Sequence, residues 1–143
     1  MALVTAMMAL LMMLALGAGV AMTTLTEHTI AANHRDGIQA LYAAEAGIDL
    51  AVNQLRTVAD WPALVKGRDA VTLIDGRLAD RLQSGAVDSR TAVTVTVSPD
   101  SNGHDDILVL QSSAIVPGGI RRAVQVSVRK RPATGEIERL SWR

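Results

Sequence analysis

Residues 2–22 read ALVTAMMALLMMLALGAGVAM, and Thr5 is the only polar side chain among them. A helix of that length spans ~30 Å, the thickness of a bilayer's hydrocarbon core. It has no polar face, so it is not an amphipathic surface helix. Such a segment is buried in a membrane, in an assembly of helices, or in both at different times. The rest of the chain then reads as a water-soluble domain following that helix.

Three readings of an apolar N-terminal run compete. A secretory signal peptide combines a basic start, a short apolar run and a small-residue cleavage site. Here the first Lys or Arg is Arg35, and the apolar run is too long. A simple membrane anchor and a helix that leaves the membrane to pack with copies of itself remain. Insertion is normally oriented by Lys or Arg on the cytoplasmic side. None stands at this end, so we expect a basic leader to have been removed.

The 143 residues allow one such helix and one small domain. The formal charge is zero, with 14 basic and 14 acidic residues, which argues against a nucleic-acid binder or a polybasic lipid anchor. Without Cys there is no disulfide frame, no thiolate nucleophile and no Cys-bound metal. Phe is absent and the aromatics are Tyr42, Trp61 and Trp142, so the core must be built from Val, Ile, Leu and Ala.

Residues 1–58 read as one long helix, with a weak point at Gly17 and Gly19, each costing ~1 kcal/mol relative to Ala. In lipid the backbone must stay bonded there; in a protein filament the stretch is a candidate for melting. From Leu25 the pattern turns amphipathic. Ile38, Leu41, Tyr42, Ile48, Val52 and Leu55 form one stripe at helical spacing, which predicts the packing face. Glu45 lies beside it in a run of small residues. It reads either as a half-exposed helix-edge carboxylate or as one paired across the packing face, since burial unpaired is costly. The helix must end before Pro62, with Asp60, Trp61 and Pro62 forming the turn.

Residues 63–90 are weakly patterned. Val71 to Leu82 suits a short hairpin through Asp75-Gly76, or a short helix over residues 78–83. Beyond them AVTVTVS (92–98) alternates strictly, as a half-buried strand does. Residues 107–116 and 120–130 give two more strands, separated by the turn Pro117-Gly118-Gly119. After a turn at 132–135, residues 136–142 supply an edge strand. Short connections imply an antiparallel meander, whose apolar face needs the amphipathic helix as cover. The expected class is α+β, a long N-terminal helix packed on an antiparallel sheet of three to four strands. The expected divisions are 1–24 (apolar helix half), 25–60 (amphipathic half) and 61–143 (β-sheet domain).

That layout resembles a type IV pilin, and the N-terminal residues are similar to the PilX-like branch of the minor pilins. The similarity rests on the opening run ALVTAMMALLMM, then Thr23, Thr24, Thr26 and Glu27, then Asn33, Arg35 and Asp36, then ALYAAEAG at 40–47. It covers roughly residues 1–50. It implies a type IV pilin-like fold and a short basic leader ending in Gly that a prepilin peptidase cuts. Met1 is then the first mature residue, with its amine a candidate for methylation. It also implies that the apolar helix holds the subunit in the inner membrane and then packs in the core of an extracellular filament, assembled by an ATPase and an inner-membrane platform. Adhesion and motility are the roles associated with such filaments. Most pilins carry Glu at the fifth position, where it neutralises a neighbour's N-terminal amine. Here Thr5 supplies only a hydroxyl, as in tip-type minor subunits. The Pro common near position 22 is also missing, with Met22 in its place.

The assembly residues expected on this reading are Met1 and Thr5 at the core contact and Met7, Met8, Leu10, Leu11 and Leu14 in helix packing. To these we add Gly17 and Gly19 at the weak point, Glu27 and Arg35 as pairing charges, and Glu45 at the helix–sheet face. No catalytic residues are expected. Ser84, Ser98 and Ser141 lack an elbow motif, no phosphate-binding glycine loop is present, and Asp105-Asp106 is a polar loop pair. No metal or cofactor is expected either. His28 and His34 are six apart, which does not align two ligands on one helix face. The acidic loop with Asp100, His104, Asp105 and Asp106 departs from the EF-hand spacing. The reading is a structural filament subunit or a minor, tip-type pilin. Its rival is a single-span, membrane-anchored periplasmic binding protein.

Overall fold

The computed structural model describes residues 2–58, 70–78, 90–100, 104, 106–131 and 134–142. The chain divides into two units, Met1–Arg35 and Asp36–Arg143. Helix α1 runs over Ala2–Thr57. Gly17 and Gly19 do not interrupt it, because each still contributes its backbone hydrogen bonds. The expected turn at Asp60–Pro62 lies outside the described residues.

In the second unit, five strands follow: β1 (Val71–Arg77), β2 (Ala92–Pro99), β3 (Ile107–Ile115), β4 (Arg121–Lys130) and β5 (Ile137–Trp142). They form one antiparallel sheet in the order β1-β2-β3-β4-β5, so the expected meander stands, with one strand more than expected. The extra strand is β1. Asp75-Gly76 is not a hairpin turn: Asp75 pairs with Thr94 and Gly76 with Val93, and the strand runs straight through. Gly76 permits this with a φ of 130°, a conformation that disfavours other residues. A bulge between Thr72 and Ile74 re-aims the strand and buries the Ile74 side chain. The alternative helix over 78–83 lies beyond Leu78, outside the described residues.

The β3–β4 turn closes through a hydrogen bond from the Gly119 N–H to the Val116 carbonyl, 2.9 Å, with Gly119 at φ 78°. In the turn before β5 the Gly135 N–H donates to the Arg131 carbonyl, 2.9 Å. Arg131 is held charged even further above its ordinary range, first by its hydrogen bond to Glu138 and then by that carboxylate's charge.

The core lies between the sheet and residues 37–55 of α1. Val93, Val95, Val97, Leu108, Leu110, Val126 and Val128 point into it from the strands, and Ile48 and Leu55 from the helix. Fully burying each such side chain stabilises by ~1.5–3 kcal/mol relative to exposure. The packing face of α1 keeps the expected stripe in its later part, at Ile48, Val52 and Leu55, but departs from it before Ala43. Gly37, Ala40, Ala43, Ala44, Gly47, Ile48, Ala51, Val52 and Leu55 are buried. Ile38, Leu41 and Tyr42 are exposed, Tyr42 to 65%. The reason is steric. The helix backbone lies so close to the sheet that a Cβ on Gly47 would stand 2.6 Å from Ser112 Oγ and 2.7 Å from Val93 Cγ1. Small residues are what such an approach admits.

Candidate functional site

Three features of α1 bear on function: a bare apolar surface, hydroxyls turned onto its own backbone, and two isolated charges. Every residue from Ala2 to Arg35 is exposed. The large apolar ones include Leu3 (76%), Met7, Met8, Leu10, Leu11, Leu14 and Val20. None of the most apolar window of this helix is buried, and its mean hydropathy is 2.3. By length and composition the helix can cross a membrane. A surface of this size requires a cover of lipid or protein. The methionines adapt to irregular neighbours in either.

The hydroxyls along this segment are turned inward onto the helix itself. Thr5 Oγ1 donates to the Ala2 carbonyl at 2.9 Å. Thr23, Thr24, Thr26 and Thr29 donate to the carbonyls four residues back, at 2.9–3.0 Å. Each donor is thus satisfied inside the helix, which allows burial of the segment without unpaired groups. The oxygen of Thr5 keeps lone pairs able to accept a hydrogen bond from outside. Met1, its expected companion, lies outside the described residues. Nothing within 4 Å crowds the missing Cβ of Gly17 or Gly19, so packing inside the chain does not require glycine at either position. Gly19 lines a shallow groove along the helix with Ala15, Leu16, Val20, Thr23, Thr24 and Glu27.

Glu27 and Arg35 are the only formal charges between Ala2 and Arg35. Both are exposed, and neither has an ion-pair partner among the described residues. Glu45 is half-buried and likewise unpaired among them. It does not sit on the helix–sheet face as expected, since that face is formed by its neighbours Ala44, Gly47 and Ile48. Glu45 lies instead on the flank that also carries Tyr42 and Asp49.

The structure adds a cluster on that flank that hydropathy did not reveal. Asp49 of α1 forms an ion pair with Arg139 of β5. The Arg139 guanidinium lies 5.8 Å from the centroid of the Trp142 ring, within cation–π range. Only the periodicity of α1 hinted at it, by placing Asp49 off the apolar stripe.

The other candidates are dispersed. Ser98 and Ser141 stand in β2 and β5, paired with Val109 and Ser127. Ser84 and Asp105 lie outside the described residues. His104 Nδ1 is 3.1 Å from Asp100 Oδ2, and Asp106 pairs with Arg129 at 2.8 Å. Among the described residues no group of three or more His, Asp or Glu side chains is placed to hold a metal ion.

Residues 1–49 match the family model described as PilX N-terminal. No curated protein and no solved structure matches the chain. The matched segment is the apolar half of α1 together with the Gly/Ala-rich turns that begin its packing on the sheet. The first 49 residues are thus similar to the N-terminal segment of PilX-type pilins.

Proposed function

We propose that this protein is a structural subunit of an extracellular type IV pilus-like filament. It is held in the inner membrane by the apolar half of α1 and then assembled through that same helix with copies of itself or other pilins. The observation that carries the reading is the wholly exposed apolar helix on a pilin-type N-terminus. Its threonine donors are satisfied internally, so it suits transfer from lipid to a protein core without new unpaired groups. The partners this reading requires are a prepilin peptidase, which frees the N-terminal amine for methylation, and an inner-membrane assembly platform. Adhesion and motility are the roles proposed for that filament, and no enzymatic role is proposed. Met7, Met8, Leu10, Leu11 and Leu14 are the packing residues, Gly17 and Gly19 the point where the helix loosens in the filament, and Glu27 and Arg35 the charges that pair between subunits.

A second reading is favoured by one observation. Thr5 carries no charge, and its proton is already given to Ala2. It can accept a hydrogen bond from a neighbour's Met1 amine but cannot neutralise it, and an ammonium unpaired in a low-dielectric core is costly. A minor or tip position, with no subunit to be neutralised at Thr5, avoids that cost. Mass spectrometry of the N-terminus in cells with and without prepilin peptidase tests both readings against the membrane-anchored binding protein. Peptidase-dependent processing is expected. An identical N-terminus in both strains contradicts the pilin readings.

A further inference from the structure

All the sulfur in this chain lies on the segment that most needs a cover. There is no Cys, and the six methionines all fall within residues 1–22. Met7, Met8, Met12 and Met13 are grouped in residues 7–13, and each is exposed in the chain by itself, Met12 to 68% and Met13 to 71%. At about 100° of rotation per residue these side chains are spread right around the helix, so a neighbour that packs broadly along this stretch meets at least one. Met is an adaptable packing residue, but its thioether is also open to oxidation. A sulfoxide is poorly tolerated here for a local reason. It adds a polar acceptor, and the segment has nothing to donate to it. Thr5 is the only polar side chain in residues 2–22, and its proton is given to the Ala2 carbonyl. Thr23 and Thr24, the next hydroxyls, donate to the carbonyls of Gly19 and Val20. Beyond the first turn the backbone N–H groups are used by α1 itself.

Resting on the pilin reading, we infer that Met7, Met8, Met12 and Met13 form an oxidation-sensitive control on assembly, with hydrogen peroxide as the oxidant. The thioether sulfur takes one oxygen from the peroxide. The O–O bond breaks, an S–O bond forms, the sulfur loses two electrons and water leaves. Hydrogen peroxide is small and uncharged, so it reaches a side chain in lipid from which an ionic oxidant is excluded. The product is a polar group that neither lipid tails nor a core of like helices can hydrogen-bond, so burying the segment becomes unfavourable. Met12 and Met13 carry the effect most strongly, because they lie beyond reach of the open amides of the first turn. Methionine sulfoxide reductases return the thioether, and that reversibility separates a control from damage. The second unit, Asp36–Arg143, carries no Met or Cys, so oxidation of sulfur acts on the assembly segment alone.

The test gives filament-making cells a pulse of hydrogen peroxide and follows the full chain, made before the pulse, from the membrane into sheared filaments. Arg35 is the first Lys or Arg, so trypsin releases residues 1–35 as one peptide, and its fragments in the mass spectrometer locate each sulfoxide. The expected result is sulfoxide at Met12 and Met13 in the membrane pool and roughly tenfold lower entry of the oxidised chains into filaments. Entry should recover once methionine sulfoxide reductase has removed the oxygen. A variant with Met7→Leu, Met8→Leu, Met12→Leu and Met13→Leu should enter equally with and without peroxide, which separates the sulfurs from any effect of peroxide on the assembly machinery. Met12→Leu with Met13→Leu alone should restore most of the entry. Oxidised chains in the same proportion in filaments as in the membrane, no sulfoxide on these residues after the pulse, or an equal fall in the leucine variants overturns the control and leaves the pilin reading intact. Absence of the untreated chain from the filaments overturns both.

Discussion

A Cβ placed on Gly47 of α1 would stand 2.6 Å from the Oγ of Ser112 on β3, and both residues are fully or nearly fully buried. This approach fixes how the helix lies on the sheet. We expect Gly47→Ala to destabilise the second unit by about 1–3 kcal/mol, the usual cost of overpacking. That outweighs the ~1 kcal/mol gained from the better helix propensity of Ala. Gly17→Ala, which meets nothing within 4 Å, provides the control and should leave stability unchanged or raise it slightly. Thermal unfolding of the full chain in detergent, followed by circular dichroism, checks both. An unchanged midpoint for Gly47→Ala contradicts the tight approach.

Ser112 Oγ is buried and lacks a hydrogen-bond partner. Removing an unsatisfied buried hydroxyl recovers its desolvation cost, about 1–3 kcal/mol at most, less a small packing loss. Ser112→Ala is therefore expected to be neutral or stabilising in the same unfolding measurement. The pair Gly47→Ala with Ser112→Ala should be less destabilised than the two separate effects sum to, because one of the clashing atoms is gone. Simple additivity would mean that Val93, not Ser112, sets the distance.

Arg139 and Asp49 are each about half exposed, so their pair contributes little to stability, about 0.2–1 kcal/mol. Arg139→Ala should lower the unfolding midpoint only slightly, and the difference should shrink as salt is added. A loss above about 2 kcal/mol would show that the pair fastens β5 to the helix far more firmly than its exposure implies.

Charge within the apolar run should act on the membrane-bound stage. Leu11→Arg sets a guanidinium near the middle of the Ala2–Met22 stretch, at a cost of about 2.5–3.5 kcal/mol for insertion at a helix centre. Carbonate extraction of membranes should then release the variant while Leu11→Met remains bound. Release of Leu11→Met and of the unaltered chain along with it would remove the membrane from the account.

Much of this architecture was legible in the residues because its signals are strong and local. The long charge-free run gave the helix, and Val and Thr alternating at 92–98 gave a strand with one face inward. What misled was hydrophobicity used as a proxy for burial. Ile38, Leu41 and Tyr42 are the larger residues of their stretch, yet the sheet accepted Gly37, Ala40, Ala44 and Gly47 instead. Size, more than hydropathy, decides what fits where a helix backbone nearly touches a sheet. Asp75-Gly76 misled differently, since a dipeptide suited to a turn is equally able to continue a strand when pairing with β2 holds it extended. The Asp49–Arg139–Trp142 cluster joins residues far apart in sequence, and only the folded sheet brings them together.

The central claim is that this chain polymerises through its N-terminal helix, and the direct measurement is mass spectrometry of filaments sheared from cells, combined with immunogold labelling of the intact filaments. The account predicts the chain in the sheared fraction and gold on the filaments, along their length for a major subunit or confined to their ends for a tip subunit. A chain that stays wholly with the inner membrane, with filaments unlabelled, would contradict it and leave a membrane-anchored domain in its place.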